Sequence, residues 1–185
     1  MEVLEAIHTR RSVPKVKSSP VPRELVEKLL SAAVQAPNHH RVRPWLFTVL
    51  SGAAREKLGD VMAETLRKGK PDIPKEALDV ERARPLRAPL IIAIGVEKPA
   101  DPKVIEVENV CAAAAAAQNI LLAAHGLGLA AMWRTGPAAT DPAVKNFLGL
   151  ANDQHLIGFL YIGYPESEPA QPERPGFEDR TTWMA

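Results

Sequence analysis

Apolar and polar positions follow two periods along this chain, and each period predicts its own kind of element. Val3 to Thr9 reads as a short helix. Leu25, Val26, Leu29, Leu30 and Ala33 give one apolar face to a second helix, opened by Pro20 and Pro22 and ended by Pro37. Trp45 to Leu50 carries β-branched and aromatic residues in a strand pattern. Ala53 to Lys68 is a surface helix rich in Glu, Lys and Arg, and Lys70 to Pro74 is a break. Lys75 to Arg84 is polar and weakly helical, a candidate arm or lid. Pro89 to Val96 (PLIIAIGV) is continuously apolar, as expected of a central strand covered on both faces.

Ile105 to His125 is the longest helix, about 30 Å at 1.5 Å per residue. Its middle is apolar nearly all round, which predicts a buried helix whose alanines let another helix approach closely. Cys111 enters the alanine run, where a buried small hydrophobe is expected. Val110 to Trp133 has no Asp, Glu, Lys or Arg. Yet the adjacent amides Gln118 and Asn119 would be costly in lipid, so a buried helix running into a strand is expected, not a membrane span. Gly126 stops the helix and Leu129 to Trp133 is a short strand. The letters GLGLAA, Gly126 to Ala131, match a glycine-rich dinucleotide loop, but they leave a helix and enter a strand, the reverse of what that loop requires. They read as a helix cap plus a turn. Asp141 caps a helix that ends near Leu148-Gly149, and His155 to Tyr164 is the last strong strand.

No repeat appears and no linker separates two cores, so residues 1–185 are expected to form one α+β domain. The tail, about 165–185, carries Phe177, Trp183 and Met184, large apolar groups that predict docking on its own domain or across a second subunit. A length of 185 residues suffices for one core. The net charge of +1 argues against a general nucleic-acid binder. The single cysteine excludes an intrachain disulfide, and the N-terminus has acidic residues and no long apolar stretch, unlike a signal peptide, so a cytoplasmic protein is expected. No P-loop, zinc spacing or nucleophile elbow is present, so no metal and no catalytic side-chain constellation is expected.

Against that neutral balance three basic motifs stand out: Arg10-Arg11-Ser12, His39-His40-Arg41 with Arg43, and Trp133-Arg134-Thr135. Arg offers fixed bidentate donors and keeps its charge, so each motif suits a phosphate or carboxylate, and the three could converge on one anionic ligand. Several segments occur in a telling order: the RRS after the first helix, Ala36-Pro37-Asn38-His39 leading to Pro44-Trp45, AAAAAAQNILLAAHGLG, Met132-Trp133-Arg134-Thr135-Gly136, and Phe159 to Pro165. This ordered set resembles the nitroreductase family of flavoenzymes, in its short-chain bacterial branch, over nearly the whole chain.

The resemblance implies a nitroreductase-like fold: a central mixed, mainly antiparallel β-sheet flanked by helices, in an interlocked homodimer. It implies FMN as cofactor, NAD(P)H as co-substrate, and sites at the subunit interface. By the same resemblance, Arg10, Arg11 and Ser12 hold the phosphate and ribityl end. Gln35 and His39 reach the flavin from the partner subunit, and Trp133, Arg134 and Thr135 form a second binding segment. Ala123 to Gly128 matches a stretch associated with nicotinamide nucleotides. There are departures: Val13-Pro14-Lys15 follows where many members carry another arginine, and Arg43 stands where Gln is common. Arg174 or Arg180 could supply a late phosphate contact. The implied activity is hydride transfer from NAD(P)H through FMN to a nitroaromatic, quinone or enone. The alternative is a non-catalytic protein that stores or senses a flavin or nucleotide. Neither reading involves a membrane or a nucleic acid.

Overall fold

The computed structural model describes every residue except Pro169, Gln171, Pro172 and Ala185. Four strands form one sheet: β1 (Trp45–Ser51), β2 (Leu90–Val96), β3 (Ala130–Arg134) and β4 (His155–Gly163), in the order β1-β2-β4-β3. All three strand pairings are antiparallel, and the parallel element among the described residues is the isolated Ser12–Ala131 bridge. Seven helices surround the sheet: α1 (Val3–Thr9), α2 (Arg23–Ala33), α3 (Ala53–Gly69), α4 (Lys75–Ala83), α5 (Glu106–Gly126), α6 (Pro137–Thr140) and α7 (Pro142–Phe147).

Strand alternation sorts the core into two layers. Leu90, Ile92, Ile94 and Val96 of β2, with Leu160 and Ile162 of β4, face α2 and α5. Ile91, Ala93, Phe159 and Tyr161 face Leu58 and Met62 of α3 and Val144 of α7. The β2 strand is buried at every position because both faces are covered, which is why it reads as one apolar run. The short α6 follows Gly136 and was not expected from the sequence. Asp141 caps α7 as expected, accepting from the amides of Ala143 and Val144 at 2.8 and 3.0 Å.

One expectation needs correction. Cys111 is exposed. It lies on the face of α5 turned away from the sheet, with Val107, Ala114 and Gln118, while Ala112, Ala113, Ala116 and Ala117 fill the core. So α5 buries one face, not its whole circumference. The tail reaches its own domain through Pro165, which bridges Val16, and through Arg174, while its apolar groups Phe177, Trp183 and Met184 are 63%, 84% and 93% exposed.

The Gly126–Ala131 segment is the cap and turn that its position predicted. Leu129 N–H donates to the Ala124 carbonyl at 2.8 Å, and Gly128 takes φ +75°, where a side chain would be strained.

Candidate functional site

The C-terminal end of α1 and the C-terminal end of α5 meet. Thr9 Oγ1 donates to the Glu5 carbonyl at 2.7 Å and lies 2.7 Å from His125 Nε2. The hydroxyl proton being committed to Glu5, the Thr9 oxygen accepts from Nε2–H, and Nδ1 is left as the free acceptor of a neutral imidazole. The chain then turns along the sheet edge. Ser12 bridges Ala131, and Val13 N–H donates to the Ala131 carbonyl at 3.1 Å.

These contacts enclose a cavity of about 260 Å³ lined by Thr9, Arg10, Arg11, His125 and Gly128, with Glu168 as its acidic neighbour. Arg174 Nη2 donates to the Arg10 carbonyl at 2.9 Å, which brings a third guanidinium to this end. Of the two late arginines, Arg174 therefore reaches the RRS segment, while Arg180 pairs with Asp179 at 3.0 Å. Arg11 Nη1 donates to the His8 and Arg10 carbonyls at 2.6 and 2.9 Å. Arg10 Nη1 and Arg11 Nε are buried with no hydrogen-bond partner among the described residues.

The electrostatics point the same way. Burial, then the neighbouring Arg174 and Arg11, lowers the Arg10 pKa from its ordinary value. Burial, then Arg10 and Arg11, holds the His125 imidazole below its usual range, against a smaller opposing effect of Glu5. Buried donors without acceptors cost free energy, and so does a knot of like charges. A phosphate dianion supplies both the missing acceptors and the missing charge, so these residues fit the phosphate end of FMN.

The β3 strand is an edge strand, paired with β4 on one side only. Because the Ala131 carbonyl points outward to Val13, the peptide groups of Trp133, two residues on, face the same open edge. The Trp133 indole turns inward and donates to the Ile157 carbonyl at 3.1 Å. Gly158 makes room for it: at φ +138°, a Cβ there would lie 2.4 Å from Trp133 Nε1. Thr135 is exposed just past the strand. Arg134 points to the other face of the sheet, its guanidinium carbon 5.4 Å from the Tyr161 ring centroid. The structure does not bring Arg134 together with Arg10 in one cavity.

The second basic motif lies at the opposite end of α5. His39 Nδ1 is 2.8 Å from Glu108 in the helix's first turn, and Gln35 is exposed, donating to the Ser31 carbonyl at 3.4 Å. His40, Arg41 and Arg43 adopt φ of 51°, 57° and 51°, a left-handed conformation that costs free energy in non-glycine residues. Asn38 Oδ1 holds the loop by accepting from Arg43 N–H at 2.9 Å. From Glu108 to His125 the helix runs about 25 Å at 1.5 Å per residue. Within one chain, then, the three basic motifs do not converge. His125 and Arg174 join Arg10 instead. The signal for Arg174 lay only in its charge, and for His125 in its place at the end of α5.

A family model described as "Nitroreductase family" matches residues 7–164. The chain is 31% identical over 167 residues to "Putative NAD(P)H nitroreductase YdjA" of Escherichia coli, covering 90% of each sequence. It superposes on the nitroreductase-like family protein from Bacillus cereus with a TM-score of 0.83 and 28% identity, covering 100% of this chain and 96% of that one. A structure named as a putative nitroreductase in complex with FMN, from Desulfovibrio desulfuricans, matches with a TM-score of 0.73 and 28% identity. That match covers 95% of this chain and 92% of that one.

Proposed function

This chain belongs to the nitroreductase family, and we propose that it is an FMN-dependent NAD(P)H oxidoreductase that reduces a small electron-poor acceptor such as a nitroaromatic, quinone or enone. One observation carries the reading: Arg10 and Arg11, each with a buried nitrogen that has no partner among the described residues, line a cavity at the start of β3. FMN held there would supply the redox chemistry, hydride transfer between a reduced nicotinamide and the acceptor. The protein's own groups bind, orient and exclude water. Arg10, Arg11 and Arg174 hold the phosphate, and Ser12 supplies a hydroxyl beside them. Trp133 and Thr135 offer backbone donors and acceptors along the open edge of β3. No side chain need act as nucleophile or as obligatory acid or base.

The site is completed by a second copy of the chain. Gln35 and His39 stand at the wrong end of α5 to meet a ligand held by Arg10 of the same chain. The surface supports such a pairing. No residue of α1 is buried, although Val3, Leu4 and Ile7 are apolar. Val107 and Cys111 are likewise exposed along α5. Apolar helix faces of this kind mark an interface, and a twofold dimer is the commonest way to cover them. In that dimer Gln35 and His39 of the partner subunit approach the flavin.

The test is spectroscopic. The purified protein is expected to be yellow and dimeric, and NADH or NADPH should bleach it without oxygen. A yellow protein that neither nucleotide bleaches would favour the storage or sensing role. A colourless monomer that takes up no added FMN would end the proposal.

A further inference from the structure

Beyond the first cavity lies another, of about 430 Å³, on the opposite face of β3. Phe159, Tyr161 and Met132 form its apolar wall, and Arg84, Arg87 and Arg134 line it. Among the described residues, no acidic side chain lines it. Glu81 pairs with Arg84 at 3.0 Å. Among the described residues, neither Arg87 nor Arg134 has a carboxylate within salt-bridge distance, and Arg134 Nε is buried without a hydrogen-bond partner. Arg134 lies over the Tyr161 ring, 5.4 Å from its centroid, and Arg84 and Arg87 line the same cavity as that ring. Arg134 Nε is a buried donor that an oxyanion would satisfy, and the exposed forks of Arg84 and Arg87 stand beside it to share the charge. The volume falls in the range of about 300–1,000 Å³ usual for small-molecule sites.

We propose that Arg84, Arg87 and Arg134 form a second anion site, which takes the carboxylate or phosphate carried by a substrate with a planar aromatic body. The proposal rests on the oxidoreductase reading for the identity of that substrate, but not for the existence of the site. The cavity reaches Trp133 and Thr135, so an aromatic acid anchored by the three arginines lies beside the segment proposed to hold the flavin. Two sources share this chemistry. One is an acceptor acid, whose ring and carboxylate match the wall and the guanidinium forks. The other is the 2′-phosphate of NADPH, attached to a nucleoside.

Arg87→Ala is the variant of choice, because Arg87 is exposed and has no salt-bridge partner to strand. Arg84→Ala/Arg87→Ala removes a second fork. In the FMN-loaded protein, KM would be compared for 4-nitrobenzoate against 4-nitrobenzamide, and for NADPH against NADH. Loss of a charge-assisted contact should raise KM about tenfold or more for the anionic member of one pair and leave its neutral counterpart within about twofold. The pair that responds names the source. Calorimetry of benzoate against benzamide, and of adenosine 2′-phosphate against adenosine, would read the same discrimination as binding. It applies equally to protein without flavin, so a failed oxidoreductase reading and a failed anion site give different results. Equal changes within both pairs, no change in either, or a drop in FMN content matching the loss of activity would overturn the proposal. The last result would assign these arginines to the cofactor.

Discussion

Both ends of α5 gather basic side chains, but among the described residues only one end buries guanidinium nitrogens without a partner. At its N-terminal end His39 meets Glu108, and His155 meets Glu106. These pairs are solvated, and each is complete within the chain. At its C-terminal end Arg10, Arg11, Arg174 and His125 crowd together, and two guanidinium nitrogens are buried without a partner. Similar residue types therefore have opposite meanings. A basic motif becomes a ligand trap when the fold removes its water without supplying an acceptor.

The comparison breaks most visibly if the two ends never meet across a dimer. Leu4 is 70% exposed in the single chain, so Leu4→Glu should leave the monomer folded. At an apolar interface its unpaired carboxylate costs several kcal/mol. Sedimentation should then show monomers, with flavin lost alongside. A variant that stays dimeric and yellow would remove α1 from the interface. Arg10→Ala tests the unsatisfied end directly. FMN affinity should fall by about 1.5–3 kcal/mol, measured by quenching of flavin fluorescence on titration. Unchanged affinity would take Arg10 out of the site.

The pH dependence is a smaller effect with a definite sign. The His125 pKa lies below the ordinary 6.5, so the unfolded chain holds that proton more tightly. Its contribution to stability is complete above about pH 6.5 and is lost as pH falls through the folded value. A bound phosphate offsets the field of Arg10 and Arg11, raises the imidazole pKa and draws in a proton. FMN should therefore bind His125 protein progressively better than His125→Gln as pH falls through this range. The difference between the two proteins cancels the titration of the phosphate itself, with its second pKa of about 6. Parallel affinity curves would show that His125 does not sense the ligand. Smallest of all, His39→Ala should change chain stability by no more than about 1 kcal/mol, as expected of an exposed polar contact. A larger loss in thermal unfolding would show that the N-terminal end is structural.

Much of the fold was legible because burial imposes periodicity. The two-sided burial of β2 shows as PLIIAIGV, and the Asp141 cap and the Gly128 turn follow from local chemistry. The short α6 was missed because it begins at a proline after Gly136 and spans four residues, too few to show a period. Cys111 was misread because an alanine run has no polar face to mark which side meets the sheet. Packing decides that, and it turned Cys111 outward.

The site divides along the same line. The order of its motifs, from Arg10-Arg11-Ser12 to the Trp133 strand, is written in the chain and suffices for the family. What the chain could not show is which cations share a cavity. Arg134 and Trp133 are neighbours in sequence, yet the strand sends them to opposite faces of the sheet. Arg174 is 164 residues from Arg10, yet it donates to its carbonyl. Local patterning follows from the covalent chain and its period. The pairing of distant charges depends on which surfaces the core leaves adjacent, and only the folded structure determines that.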